Sequence, residues 1–217
     1  DEASLSPTTY NYSQGIDASW PLRLYLSPER RSMSTLATAP VKFFVSTLGL
    51  FALAGRYIYE WDTSALSWTE RDDAGAAEAY TDIIEMDDVL YAALGSSSAI
   101  PGGYKYSTNG TTWTTFTDAS QDVDFWAVRS RAAGSVLFKI DVNGIIRSTV
   151  NGINGGTAWS AGDETGNTTE ITRGMVVVDD NMYVTKDRAF YRYSGTVTAD
   201  LLQFSYLTTQ NGRKSFV

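Results

Sequence analysis

The chain has 217 residues, 43% hydrophobic and 19% charged, so it is long and apolar enough to fold around a core. Its net charge of −8 and pI near 4.5 remove the attraction to phosphate that nucleic-acid binding draws on. With neither His nor Cys, it has no Ser-His-Asp triad, no thiolate nucleophile, no imidazole or thiolate zinc site and no disulfide.

The chain opens on Asp1-Glu2-Ala3-Ser4 with no basic and apolar leader, which reads as the start of a processed or partial product. Pro7, Pro21, Pro28 and Pro40 divide residues 1–40, which are expected to form an extended arm that contacts neighbours. The most apolar stretch, Val41 to Gly55, is too short for a bilayer and is interrupted by Lys42, Ser46, Thr47 and Gly49. It reads as two strands and a turn, and no membrane insertion is expected.

From Val41 onward the residues favour strands. Aromatics make up 13% of the chain, and Thr and Val are frequent, as suits a pleated, half-buried surface. The first group of strands is Val41–Ser46, Leu50–Ala54, Arg56–Trp61 and Leu66–Glu70. Asp73 to Tyr80 is Ala-rich but short, and reads as a loop or single turn. The second group is Asp82–Asp87, Val89–Leu94, Tyr104–Thr108 and Thr112–Thr117. The third is Asp124–Arg129, Ser135–Ile140, Ile145–Thr149 and Thr157–Ala161. The fourth is Arg173–Val178, Met182–Thr185 and Ala189–Tyr193, with a last strand after Leu201. Asn-Gly at 109–110, 143–144, 151–152, 154–155 and 211–212 predicts type I′ hairpin turns.

Three landmarks repeat with one period. Trp68, Trp113 and Trp159 stand 45 and 46 residues apart. The pairs Leu90-Tyr91, Leu137-Phe138 and Met182-Tyr183 stand 47 and 45 apart. Asp87-Asp88 and Asp179-Asp180 are 92 apart, two periods. Four short strands in a period of the mid-forties mark a β-propeller blade. The expected fold is therefore all-β, with an arm over 1–40, blades over 41–80, 81–121, 122–170 and 171–200, and a strand or further blade over 201–217. Four blades either close a small ring or belong to a larger one. The opening without Met and the end at Ser215-Phe216-Val217 favour the larger ring.

The run Tyr106-Ser107-Thr108-Asn109-Gly110-Thr111-Thr112-Trp113 resembles a shortened Asp-box, the Ser-x-Asp-x-Gly-x-Thr-Trp hairpin of bacterial neuraminidase repeats. Trp61-Asp62-Thr63-Ser64 to Trp68, and Ser148-Thr149 to Trp159, resemble degenerate copies. Asn109 stands where Asp is usual, and one residue is missing. The resemblance implies a structural hairpin whose Trp plugs the blade, as in sialidases, non-enzymatic propellers and virus tail proteins.

A sialidase would also need an arginine cluster, a Tyr-Glu pair and an Asp acid/base. Arg56, Arg129, Arg131, Arg147, Arg173, Arg188 and Arg192 are available, with Glu60, Glu85 and Glu170 at or beside strands, but no motif fixes which converge. Asp72-Asp73, Asp87-Asp88, Asp179-Asp180 and Asp141-Val142-Asn143-Gly144 could offer oxygens to Ca²⁺, but read better as turn formers bonding their own backbone. Trp20, Trp61 and Trp126 could stack on sugars, while Trp68, Trp113 and Trp159 belong to the blade core. Phe125 and Trp126 alternate, so one of them should leave the core face. The sequons at Asn11, Asn109 and Asn167 read as incidental.

No catalytic residue, metal or cofactor is expected, and no binding residue is assigned. The expected function is a non-catalytic structural or binding module of a phage tail, nozzle or other surface assembly, located on a virion or cell surface. Its expected partners are protein subunits of that assembly, including copies of itself, and surface glycans. The alternatives are a sialidase-like glycoside hydrolase and a glycan-binding lectin.

Overall fold

The computed structural model describes residues 16–17, 25–26, 34–95, 97–100, 103–117, 122–131, 134–156, 158–193 and 198–203. Two units are distinct, Asp1–Thr35 and Leu36–Val217. In the first, β1 (Ile16–Asp17) pairs antiparallel with β2 (Tyr25–Leu26). The rest of the expected arm up to residue 33, with Trp20 and Asn11, lies outside the described residues, as does Asn211-Gly212.

The second unit holds four four-stranded antiparallel sheets, each strand bonded to its neighbours in sequence. Blade 1 is β3 (Lys42–Ser46), β4 (Gly49–Ala54), β5 (Tyr57–Asp62) and β6 (Ser67–Asp73). Blade 2 is β7 (Asp82–Met86), β8 (Val89–Ala93), β9 (Tyr104–Ser107) and β10 (Thr114–Thr115). Blade 3 is β11 (Phe125–Arg131), β12 (Gly134–Ile140), β13 (Ile145–Thr149) and β14 (Asp163–Glu164). Blade 4 is β15 (Thr172–Val178), β16 (Asn181–Lys186), β17 (Ala189–Tyr193) and β18 (Thr198–Gln203). The first strands of the four blades lie innermost: β3 packs beside β7, β7 beside β11 and β11 beside β15. This is the radial arrangement of a β-propeller. No helix among the described residues is long and apolar enough to cross a membrane.

Each blade has a trailing face toward the preceding blade and a leading face toward the next. Where both are covered, alternation of apolar and polar residues gives way to continuous apolar runs. Phe51, Ala52, Leu53 and Ala54 in β4 are all fully buried. Leading Phe44, Phe51 and Leu53 of blade 1 meet trailing Ile83, Leu90 and Ala92 of blade 2. Leading Tyr91, Ala93 and Tyr104 of blade 2 meet trailing Trp126, Val128 and Leu137 of blade 3. Leading Ala127, Phe138 and Ile140 of blade 3 meet trailing Met175, Met182 and Val184 of blade 4. Two covered faces also correct the expectation for Phe125 and Trp126. Trp126 turns toward blade 2 and Phe125 toward blade 4, so neither leaves the core.

Several strand and turn expectations are also corrected. The outer strand of blade 3 is Asp163–Glu164, not 157–161. There the Ser160 hydroxyl, rather than a carbonyl, accepts from Ser148 N at 2.9 Å and interrupts the ladder. β10 is shorter than expected because Asn109 Oδ1 holds the N–H groups of Thr111 and Thr112 in the turn, at 3.0 and 2.8 Å. The last strand of blade 4 begins at Thr198, ahead of Leu201. Among the Asn-Gly pairs in the described residues, no Asn has a positive φ. Both central residues are positive instead at Asp87-Asp88 (51° and 63°) and Asp179-Asp180 (46° and 65°), the two-residue turns closing β7–β8 and β15–β16. Gly166 is required where it stands: its φ is +59°, and a Cβ there would lie 2.1 Å from the Tyr191 ring.

Candidate functional site

The N-terminal ends of β3, β7, β11 and β15 converge on one cavity of about 180 Å³. Val41, Phe125 and Met175 contribute apolar surface, and Lys42, Asp82 and Arg173 contribute charge. Asp82, on β7, is 8% exposed. Its Oδ1 accepts from Lys42 Nζ of blade 1 at 2.6 Å and from Ile83 N at 2.9 Å. Its Oδ2 accepts from Trp126 N of blade 3 at 2.8 Å. One carboxylate therefore joins three blades at their innermost strands. Lys42 Nζ donates again, to Ile83 O at 2.9 Å. Arg173 is held by Asp187, Nε to Oδ1 at 2.5 Å. Thr81 Oγ1 adds a bond from blade 2 to Asp124 O at 3.0 Å.

The chemistry this allows is limited. Asp82 is the one carboxylate lining the cavity among the described residues, and both its oxygens accept bonds within the fold. Hydrolysis of a glycoside needs two carboxyls, or a Tyr with a base, facing a common point. Of the seven arginines considered for a sialidase cluster, Arg173 alone lines the cavity among the described residues. Arg56 pairs with Asp73 at 3.1 Å on blade 1, and Arg129 with Asp180 at 3.6 Å across blades 3 and 4. Arg147 lies in β13, Arg188 in the β16–β17 turn and Arg192 in β17, while Arg131 closes β11. Glu60 binds Arg71 at 2.7 Å, Glu85 accepts from Thr47 N at 3.0 Å, and Glu170 sits between β14 and β15. Of these arginines and glutamates, Arg173 alone lines the cavity among the described residues.

The acidic pairs stitch blades. Asp87 Oδ1 accepts from Ser135 Oγ of blade 3 at 2.7 Å, and Asp88 Oδ1 from Thr47 Oγ1 of blade 1 at 3.2 Å. Asp72 Oδ2 accepts from Tyr80 Oη and from Lys105 Nζ, the latter at 2.7 Å. The Asp87, Asp88 and Asp72 side chains thus reach neighbouring blades or loops and not their own turns, whereas Asp73 Oδ1 accepts from Gly75 N of its own turn at 2.9 Å, as expected. Asp141 does behave as a turn former: its Oδ1 accepts from Asn143 N and Ile145 N, both at 2.9 Å. Among the described residues no three His, Cys, Asp or Glu side chains are grouped to hold a metal.

Three buried lysines escaped the sequence reading: Lys105, paired with Asp72, and the more deeply buried Lys139 and Lys186. Lys139 is 1% exposed, with Nζ 4.4 Å from the Trp159 ring centroid and 5.5 Å from that of Tyr104. Burial, with Arg147 nearby, pushes its pKa down to about 7. Lys186 is fully buried and donates to Asn143 O at 2.9 Å and Asn167 O at 2.8 Å, tying blade 4 to the loops of blade 3. Burial lowers its pKa as well. Asp82 was missed too, although it stands at a strand start 40 residues after Lys42 and 44 before Trp126, close to one period each way.

Of the aromatic candidates, Trp126 is buried, and Trp61 packs edge-on against Trp68 with centroids 5.2 Å apart. Trp113 and Trp159 pack against the preceding blade, and Trp68 lies on the trailing face of blade 1. The sequon residues Asn109 and Asn167 use their side-chain oxygens in their own turns.

No protein-family model and no curated protein sequence matches this chain. Solved structures do. The extracellular domain of the putative hybrid two component system BT4673 from B. thetaiotaomicron superposes with a TM-score of 0.60 at 14% identity, over 89% of this chain and 24% of that one. An auxiliary nutrient binding protein from Bacteroides thetaiotaomicron gives 0.57 at 8% identity, over 77% of this chain and 43% of that one. The computationally designed Ika4 protein gives 0.51 at 12% identity, over 76% of this chain and 98% of that one. At these identities the likeness is one of fold. The chain is thus a run of four β-propeller blades, spanning less than half of either Bacteroides protein.

Proposed function

We propose that the chain is a non-catalytic binding and assembly module of a surface structure, such as a phage tail or nozzle or an extracellular complex. The observation that carries this reading is a set of apolar side chains exposed on the inner strands of the two end blades. On trailing blade 1, Phe43 and Val45 are 56% and 77% exposed, and on leading blade 4, Val178 is 50% exposed. Apolar patches of this kind mark protein contacts. Among the described residues the cavity is lined by one carboxylate, Asp82, with both oxygens engaged within the fold, which supports a role without catalysis. An extracellular domain and a nutrient-binding protein among the similar structures support a binding module outside the cytoplasm. The Ser107–Asn109–Gly110 turn, with Gly110 N donating to Ser107 Oγ at 3.0 Å, supports the Asp-box-like reading of the blade hairpin.

The test is an assay of the 217-residue chain against fluorogenic sialosides and related glycosides, with a glycan array alongside. No turnover is expected. Robust turnover lost on Arg173→Ala would replace this reading with a glycoside hydrolase, and array binding without turnover would make it a lectin.

A further inference from the structure

We propose that the seam between blades 2 and 3 is a binding site for a small inorganic anion of halide size, held by Arg147 and by the indole N–H groups of Trp126 and Trp159.

Three side chains stand in one row across the trailing face of blade 3. Trp126 on β11 pairs with Lys139 on β12, and Lys139 pairs with Arg147 on β13. Register partners share one face of an antiparallel sheet, so the row presents an indole, an ammonium and a guanidinium toward blade 2. Trp159 covers the row, its ring centroid 4.4 Å from Lys139 Nζ and 6.2 Å from that of Trp126. Tyr104 of blade 2 meets both indoles edge-on, at 5.1 and 6.1 Å. Gly162 makes room for the guanidinium, since a Cβ there would lie 2.9 Å from Arg147 Nη2.

The buried side-chain atoms left over in this cluster are all donors. Arg147 Nε, Trp126 Nε1 and Trp159 Nε1 are each buried without a hydrogen-bond partner. None of the three can accept, and a buried donor left unpaired is costly. Like charges directly opposite on a sheet, as Lys139 and Arg147 are, also repel. Arg56, Arg71, Arg129 and Arg173 each face a carboxylate, whereas Arg147 makes no ion pair among the described residues. Asp122 and Asp141 act on Lys139 by charge, but Asp141 Oδ1 is spent on its own turn, and neither carboxylate accepts from the three N–H groups.

The ligand chemistry follows. A water would bring donors as well as acceptors to these groups. An anion brings acceptors alone, with a charge opposite to that of Arg147 and Lys139. The rings packed around the row select a single-atom ion over a bulkier carboxylate. Arg147 and Trp159 are partly exposed while Trp126 and Lys139 are buried, so the ion would enter along Arg147. Bound there, it ties β11, β12 and β13 to the Trp159 loop and stiffens the face on which blade 2 packs. Stability should then follow halide concentration by mass action.

The test uses the 217-residue chain, melted at pH 6 with chloride exchanged for gluconate at fixed sodium and ionic strength. Lys139 carries its proton there, since burial brings its pKa down only to about 7. Tm should rise with chloride along a saturating curve, and bromide should act in the same way. Arg147→Gln should abolish that rise while keeping the circular dichroism of a folded chain. Trp159→Phe, which removes one donor and keeps the packing, should move the curve to roughly tenfold higher chloride. Crystals soaked in bromide should show its anomalous peak within hydrogen-bond reach of Arg147 Nε and the two indole nitrogens. Should Arg147→Gln fail to fold, the Trp159→Phe shift and the bromide position decide. A Tm indifferent to halide, a rise that never saturates, an unchanged rise in the Arg147→Gln chain, or a water where bromide is expected would each overturn the site. These readouts are independent of the glycoside assay and of whatever blades flank this seam.

Discussion

The seam between blades 2 and 3 and the trailing face of blade 1 are built from the same positions and meet opposite fates. At the seam, Trp126 is 3% exposed and Tyr104 fully buried. On blade 1, Val41 is 46% exposed and Phe43 56%. Both regions are apolar, aromatic and strand-forming, so composition does not separate them. The neighbour does. On blade 1 the trailing side chains of β4 and β5, Ala52, Ala54 and Tyr59, are buried with Leu36 and Trp68, while Phe43 and Val45 of the innermost strand stay exposed.

The largest effect should follow from emptying the seam. Tyr104 stacks on Phe116 at 4.4 Å, meets Trp126 edge-on at 5.1 Å and donates from Oη to Gly152 O at 2.8 Å. Tyr104→Ala should cost about 3–5 kcal/mol, the usual range for removing a buried aromatic. That corresponds to a fall in Tm on the order of 10 °C for a chain of this size. A fall of only a degree or two would mean that the seam is not where the blades are held.

Next comes the pin at the inner strands. Asp82→Ala leaves Trp126 N–H buried without an acceptor and frees Lys42 from its 2.6 Å pairing. The expected loss is about 2–4 kcal/mol, most of it from the orphaned N–H. Asp82→Asn keeps a carbonyl oxygen for that N–H and should recover roughly half of it. Urea midpoints for the two variants measure the difference; equal losses would assign the pin to the Lys42 ion pair alone.

How far these features could be read from the chain follows from how they arise. The period carried by Trp68, Trp113 and Trp159 located four blades because each Trp repeats a local strand-turn-strand unit. Asp82 and Lys139 were not legible. Each sits in an alternating strand where a charge suggests a solvent-facing position, and what buries it comes from a different repeat or from across a long loop. Lys139 is covered by Tyr104 and Trp159, 35 and 20 residues away. The Asp-Asp pairs at 87–88 and 179–180 were read correctly as turns, but the partners of the Asp87 and Asp88 side chains were not legible, for a similar reason. Asp87 and Asp88 adopt the left-handed turn, and their side chains bond Ser135 and Thr47 of adjacent blades. A sequence shows which residues share a face; when both faces are covered, it does not show which polar residue is interior.

Lys139 sharpens the comparison through pH. Its folded pKa is about 7 against an ordinary 10.5. Between those values the unfolded lysine keeps a proton that the folded one has lost, so stability rises with pH across the window and is flat below it. The full span could reach about 5 kcal/mol, and the two aromatic faces, which favour the ammonium, should reduce it to about 3. Burial raises the pKa of Tyr80, Tyr91 and Tyr193, so above pH 10 they pull the other way, and the slope is best read from pH 7 to 9.5. Lys139→Met should flatten that slope and stabilise the chain near pH 7, since it removes a buried charge while keeping the volume. An unchanged slope would show that Lys139 is not the titrating group.

The smallest effect should come from the position that looks most like core in sequence. Phe43 aligns with Ile83, yet Ile83 is fully buried while Phe43 is 56% exposed. Ile83→Ser should cost about 3–4 kcal/mol, from a cavity and a hydroxyl left inside it. Phe43→Ser at low protein concentration should cost less than about 1 kcal/mol, mainly the ring contact with Trp68. The gap between the two should narrow as protein concentration rises. If a second chain covers Phe43, its binding to the folded state adds stability by mass action, and the Ser variant forfeits that gain. Chemical denaturation of both variants over a hundredfold range of concentration measures the trend. A Phe43→Ser cost that stays small throughout would show that the blade 1 face gains no cover from another copy, while a cost as large as that of Ile83→Ser even at the lowest concentration would show that the chain itself already buries it.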